Sequence, residues 1–357
     1  TIGAANPIDT ELGTVAGFAS GGTIRLAETS AGGSVTIGTI PAFTINAGQP
    51  ITNVQITYDG GSEMVTFVGR QTAPIDFTLN AYTNGLVAQG NGYIEVTTAN
   101  GDINVSKPVI HAGNGSVRLT ANGAGADVIG NDSVLALNSF VRIAAQAEVI
   151  QNGLFASGNN GSLVVTAGDD ITMNAGSIGF TGNGNILYAA GGDATIQSLI
   201  TSNGNISATA VNTLTQRSNI ISLANGSIDV SAGTTLTMID QTLSLVGNNR
   251  DIRYSAGGNI FLSSLISTQG DVSVRSTGGS IRDGGDALPE IVGQNVMLYA
   301  PNGGIGQSGG GANGLEMAAN NIAASAGSGG INVAVGGNVN ITTVGSGISV
   351  QRVNTSG

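Results

Sequence analysis

Few residues in this chain can carry chemistry, and the densest group is acidic. Asp283, Asp286 and Glu290 share one short loop, RDGGDALPE, whose Gly and Pro residues bend the chain tightly. Three carboxylate oxygens converging from such a loop suit Ca²⁺, a hard cation that takes oxygen ligands. Asp169 and Asp170, adjacent in AGDDITM, are poorer partners for acid–base work, because neighbouring strand residues point to opposite faces. His111 is the sole imidazole, so a Ser/His/Asp triad or a His-based metal site would have to be built around it. Its neighbours Val109, Ile110 and Ala112 place it on a strand or at a corner, where a structural role is expected. Gly304, Gly306 and Gly309 have the dinucleotide-fingerprint spacing. That motif also needs a helix after it and an acidic residue some 20 positions on; only the preceding strand is legible, so these glycines read as turns.

Composition removes further classes. There is no Cys among the 357 residues, hence no disulfide framework, thiolate nucleophile or Cys-based metal site. The formal net charge is -11, which repels phosphate backbones, so nucleic acid is not an expected partner. With 9% charged and 40% hydrophobic residues, the chain is too apolar for an acidic disordered tail. No apolar run approaches the 18 or so residues of a membrane helix. Gly reaches 58 and aromatics only 4%, leaving Val, Ile, Leu and Ala to form the interior.

These elements recur. The phrase small-polar-apolar-x-apolar appears in GYIEV, GSVRL, SFVRI, GSLVV, GNILY, GNISA, GSIDV, RDIRY, GDVSV and QNVML. Its first apolar residues are Ile94, Val117, Val141, Leu163, Ile186, Ile206, Ile228, Ile252, Val272 and Val296, a period of about 22 residues. A second series follows through Ile103, Ile171, Leu214, Leu236, Ile260, Ile281 and Ile305, with Val149 and Ala194/Ile196 fitting less cleanly. A third runs through Ile110, Leu135, Leu154, Ile178, Leu199, Ile220, Leu243, Leu265 and Ile291. Short alternating strands separated by Gly, Asn, Asp and Ser turns and repeated this evenly predict a coil. Each repeat makes one turn and each strand stacks in parallel on its equivalent about 4.8 Å away. Because crossovers between parallel strands are right-handed, the expected fold is all-β, a right-handed parallel β-helix with three strands per coil. Residues 91–357 would form roughly eleven coils, a rod on the order of 50 Å long. Asn stacked on Asn at the corners would add amide ladders. An outer-membrane barrel is disfavoured, since its strands need about 9–11 residues to cross the bilayer.

Residues 1–90 differ. Ile51 to Tyr58 and Met64 to Val68 flank Asp59-Gly60-Gly61, a hairpin signature. The segment is expected to be a partly antiparallel cap, or early coils decorated by a β insertion. GTIRL and GSVTI, at 22–26 and 33–37, leave the second arrangement open.

Residues 279–345 carry the most distinctive text: GGIG at 303–306, the beat Leu315-Glu316-Met317, then GGINV at 329–333. This text resembles the large repetitive bacterial exoproteins of the filamentous haemagglutinin type, over roughly residues 92–357. The resemblance implies a β-helical shaft, secreted or held at the bacterial cell surface, that belongs to a longer chain and has no catalytic residues. Family members exported by the two-partner route carry Asn-Pro motifs near the N-terminus; this chain offers only Asn6-Pro7.

The expected function is therefore a non-catalytic structural or adhesive extracellular rod. Its partners would be further β-helix coils, by self-association or end-to-end stacking, and a host or neighbouring-cell surface or polysaccharide. The alternative is a β-helical carbohydrate-active enzyme, a polysaccharide lyase or glycosidase, or a carbohydrate-binding module; an enzyme would need long loops building a groove. No cofactor is expected beyond the Ca²⁺ candidate. The beat still runs at Ile348 and Val350, and an open coil end exposes unpaired strand edges. More coils, or another copy, are thus expected beyond Gly357.

Overall fold

The computed structural model describes residues 8–10, 13–40, 43–46, 55–59, 64–68, 76–79, 84–285, 289–306 and 314–342. Among these there is no helix. Parallel strands stack into a β-solenoid of about 12 turns with ~23 residues per turn.

Each coil has three faces. The first carries five-residue strands such as Ile186–Ala190, Ile206–Ala210 and Ile228–Ala232. The second carries three-residue strands such as Ile171–Met173, Leu214–Gln216 and Leu236–Met238, and forms an eleven-stranded sheet. The third carries strands of three or four residues such as Ser198–Thr201 and Ile220–Ser222. Every strand pairs with its equivalent one coil away, so that Ile186, Ile206, Ile228 and Ile252 form one column. Strand alternation sends the first, third and fifth residues of the first face inward, and this column is completely buried. At about 1.5–3 kcal/mol for each fully buried aliphatic side chain, such columns supply the dominant cohesion.

The third face corrects part of the sequence reading: Leu199, Ile220, Leu265 and Ile291 of the third series are buried in the core, and the other members are not. Its inward residues are Val109/His111, Val134/Ala136, Phe155/Ser157 and Gly179/Thr181. Ile110, Leu135, Leu154, Ile178 and Leu243 do not face the core; Ile178 is an exposed large apolar residue. Strands such as Val109–His111 and Val134–Ala136 hold two adjacent large aliphatics, so apolar periodicity alone cannot fix which of the two points in.

Coiling begins early. Ile24–Glu28 pairs with Ile94–Thr98 on the first face, and Val35–Ile37 pairs with Ile103–Val105 on the second. Between these coil strands lie two antiparallel pairs, Phe43–Asn46 with Asp76–Leu79 and Gln55–Asp59 with Met64–Val68. The Asp59-Gly60-Gly61 turn extends outside the described residues.

Polar side chains tie the corners from coil to coil. Between the third and first faces, the side-chain amides of Asn160, Asn183, Asn203, Asn225 and Asn248 form an unbroken chain of hydrogen bonds, each donating to its predecessor. One step further, Asn185 Oδ1 accepts from Asn205 N and Asn205 Oδ1 from Ser227 N, both at 2.9 Å. Gly204 and Gly226 sit under the same corner because a Cβ on either would lie 1.9 Å or less from the carbonyl oxygen of the glycine one coil before.

The interior holds two equivalent polar pairs. The hydroxyl of buried Tyr188 donates to Gln151 Oε1 at 2.7 Å, and that of buried Tyr254 donates to Gln216 Oε1 at 2.6 Å. The amide of Gln151 donates to the Gly153 and Ile178 carbonyls, so every polar end is satisfied. Burial pushes both phenols well above their ordinary range.

Towards the C-terminal end the corner between the third and first faces straightens. Ile291–Ala300 and Leu315–Ala326, of 10 and 12 residues, run continuously across it. Their register is unbroken from Ile291↔Met317 to Ala300↔Ala326.

Candidate functional site

A long interruption of the coils lies between Ile281–Asp283 on the second face and Ile291 on the third. It carries the acidic loop. Asp283 stacks on Leu262, at a column position that holds Leu262 and Met238 in earlier coils and normally faces the core. Its Oδ1 accepts from Gly285 N at 2.6 Å. Glu290 is completely buried; its Oε2 accepts from Glu316 N, one coil on, at 2.5 Å. Carboxylate oxygens of Asp283, Glu290 and Glu316 all lie within 4.8 Å of one another. Glu290 Oε1 and Glu316 Oε2 are buried with no hydrogen-bond partner. Burial, followed by the facing Glu316 carboxylate, raises the Glu290 carboxyl well above the ordinary carboxylate range.

The structure thus brings together Asp283 and Glu290 from the sequence-derived set and adds Glu316, while Asp286 lies outside the described residues. Glu316 was not recognised because it is distant in sequence. The signal was the period itself, since its register with Ile291↔Met317 places it directly above Glu290.

Other candidate residues are structural. His111 is fully buried in a column between Ala88 and Ala136. Its Nδ1 accepts from Gly113 N and Gly115 N, each at 3.2 Å, while Nε2 lies beside Gly92 without a well-formed hydrogen bond. Burial lowers the imidazole pKa, and protonation at Nδ1 would set a proton against two backbone donors. In the coils above, Ser157, Thr181, Thr201 and Ser222 take this position and bind corner carbonyls.

Asp170 Oδ1 accepts from Asp193 N at 2.6 Å, and Asp193 Oδ1 from Thr213 N at 2.8 Å. Asp102 and Asp127 do the same one position before the second face. These acids bridge successive coils rather than form a catalytic pair. Glu148, in the same column, has its carboxyl pKa raised by burial and then by Asp127, Asp170 and Asp169. Gly304 and Gly306 flank Ile305, which bridges Ile281 and Ile331 in parallel pairing. They form part of a coil, and Gly309 lies outside the described residues.

The outer surface has one distinctive face. On the third face Val87, Ile110, Leu135, Ala156, Phe180, Ile200, Ile221, Leu245, Ile266 and Val292 stack in register and point away from the core. On the first face the outward residues Leu187, Ser207 and Asp229 are nevertheless buried, Asp229 against the Arg253 guanidinium of the next coil. No described helix is long and apolar enough to cross a membrane.

No family model, no curated protein and no solved structure gives a significant match to this chain.

Proposed function

We propose that this chain is a segment of an extracellular structural or adhesive rod of the filamentous haemagglutinin kind, displayed at a bacterial surface and without catalysis of its own. The observation that carries this reading is the continuity of the stack. First-face strands keep one register from Ile24 through Ile94 to Val296. Corner side chains are spent on tying coils together, as in the Asn160-to-Asn248 ladder. A solenoid of this kind transmits tension through many small parallel bonds and presents a long even surface, which is what a shaft requires.

About 12 turns at about 4.8 Å each give a rod on the order of 55 Å. Antibody raised against the purified chain should label intact cells of the source bacterium without permeabilisation, and the protein should leave a panel of polysaccharides undegraded. Turnover that disappears in Asp283→Ala would overturn the reading in favour of a carbohydrate-active enzyme.

A further inference from the structure

We propose that Asp283, Glu290 and Glu316 form a Ca²⁺ site at the corner between the second and third faces, stapling two successive coils at the level of the shaft where the next corner straightens. The inference goes beyond the rod reading and does not depend on it.

Three observations converge. First, oxygens from three carboxylates on two coils lie within 4.8 Å of one another. Ca²⁺ binds oxygens at 2.3–2.6 Å, so two of its ligands can be separated by up to about 5 Å. Second, Glu290 is completely buried, yet its Oε1 has no partner, and the same is true of Glu316 Oε2. A buried carboxylate oxygen that faces another carboxylate is strongly unfavourable unless a cation or a shared proton lies between them. The ion pairs Arg25–Glu95 and Arg253–Asp229 lie elsewhere on the shaft, so among the described residues no side-chain cation accounts for these oxygens.

Third, the position is built where the fold changes. Asp283 occupies a column that holds Leu262 and Met238 in the two preceding coils, with the buried amides of Gln216 and Gln151 further back, so a carboxylate stands here where the two preceding coils place an aliphatic side chain. The segment that follows is longer than its equivalents in the two preceding coils, and Glu290 at its end takes the Glu316 backbone N–H. Ser264 Oγ donates to the Pro289 carbonyl at 3.1 Å and fixes the loop end to the preceding coil. Glu290 and Glu316 are thus held by backbone hydrogen bonds while one oxygen of each stays free. A flexible hard-oxygen site of this size suits Ca²⁺ better than Mg²⁺, which demands near-ideal octahedral geometry at about 2.1 Å.

The test uses the whole 357-residue chain, dialysed against chelator and then titrated with CaCl₂ or MgCl₂ by calorimetry, with metal content read by mass spectrometry. One Ca²⁺ per chain is expected to bind, with weaker Mg²⁺ binding. Hydrogen exchange around residues 284–290 and 314–318 should slow at least tenfold on adding Ca²⁺, with the mid-shaft unchanged. Glu316→Gln, at a half-buried position, should abolish both responses while leaving the mid-shaft exchange pattern intact. Asp283→Asn should weaken binding at least tenfold. Absence of Ca²⁺ binding at 10 mM by the correctly folded parent chain would overturn the proposal, leaving a proton shared by Glu290 and Glu316 as the explanation. Undiminished binding in Glu316→Gln would equally overturn it by placing the ion elsewhere.

Discussion

Replacing Tyr188 with Phe tests whether the buried Gln–Tyr pairs hold the middle of the shaft. The substitution keeps the ring and removes one hydroxyl, which donates to Gln151 Oε1 at 2.7 Å. Gln151 is completely buried and its amide group is already engaged with the Gly153 and Ile178 carbonyls. Its Oε1 is then left without a donor, at a cost of about 1–3 kcal/mol. The equivalent change at Tyr254 is cushioned: Ser244 Oγ lies 3.4 Å from Gln216 Oε1 and 2.6 Å from the Tyr254 hydroxyl. Freed of the phenol, Ser244 can donate to Gln216, so Tyr254→Phe should cost about 1 kcal/mol or less, the net value of one ordinary hydrogen bond. Urea unfolding followed by far-ultraviolet circular dichroism gives both numbers, with the slope of the transition checked for loss of cooperativity, since coil-by-coil melting is open to a solenoid. The reasoning is refuted if Tyr254→Phe destabilises as much as Tyr188→Phe, or if Tyr188→Phe falls within about 0.5 kcal/mol of the parent, the range of neutral substitutions.

Three further outcomes follow from the same geometry. Because burial holds the His111 pKa below 6.5, the unfolded chain binds the proton first as pH falls. The stability His111 retains above about pH 6.5 should therefore decline towards its folded pKa, by at most about 1.4 kcal/mol per pH unit. His111→Ser, which copies Ser157 of a later coil, should flatten that part of the urea-midpoint profile. Gly226→Ala would place a Cβ 1.6 Å from the Gly204 carbonyl oxygen, and calorimetric melting should register at least the 1–3 kcal/mol typical of overpacking. Arg253→Met removes one partner of the fully buried Asp229, which it contacts at 2.8 Å, and should cost more than about 1 kcal/mol, up to the 3–5 kcal/mol of a broken buried pair. Arg25→Met, breaking the more exposed pair with Glu95, should cost under about 1 kcal/mol in the same denaturation series.

The legibility of the candidate site followed the range of the forces involved. Asp283 and Glu290 were recognisable because a Gly- and Pro-containing loop keeps them close in the chain. Glu316 joins them only because the coil returns to the same place, and in isolation the segment Leu315-Glu316-Met317 reads as one more alternating strand. Adjacency alone marked Asp169 and Asp170 as poor acid–base partners, but the actual use of Asp170, a hydrogen bond from Asp193 N, is a contact between coils that no local pattern shows. The burial of the outward-facing Leu187 and Asp229 likewise has no local signature, since it depends on what neighbouring coils place against them.

By itself the sequence determined the architecture of this protein. A period near 22 residues, with Ile, Val and Leu alternating against Ser, Thr and Asn and with Gly and Asn between strands, has a low-energy solution in stacked parallel coils, because only stacking buries each short strand against its copy. It could not decide orientation on the third face, where adjacent aliphatics make both registers equally apolar; there the structure chose Val109 and His111 over Ile110. Nor could it pair Gln151 with Tyr188, or Glu290 with Glu316. Those contacts join residues one or more coils apart, and only the tertiary winding brings them within hydrogen-bonding distance.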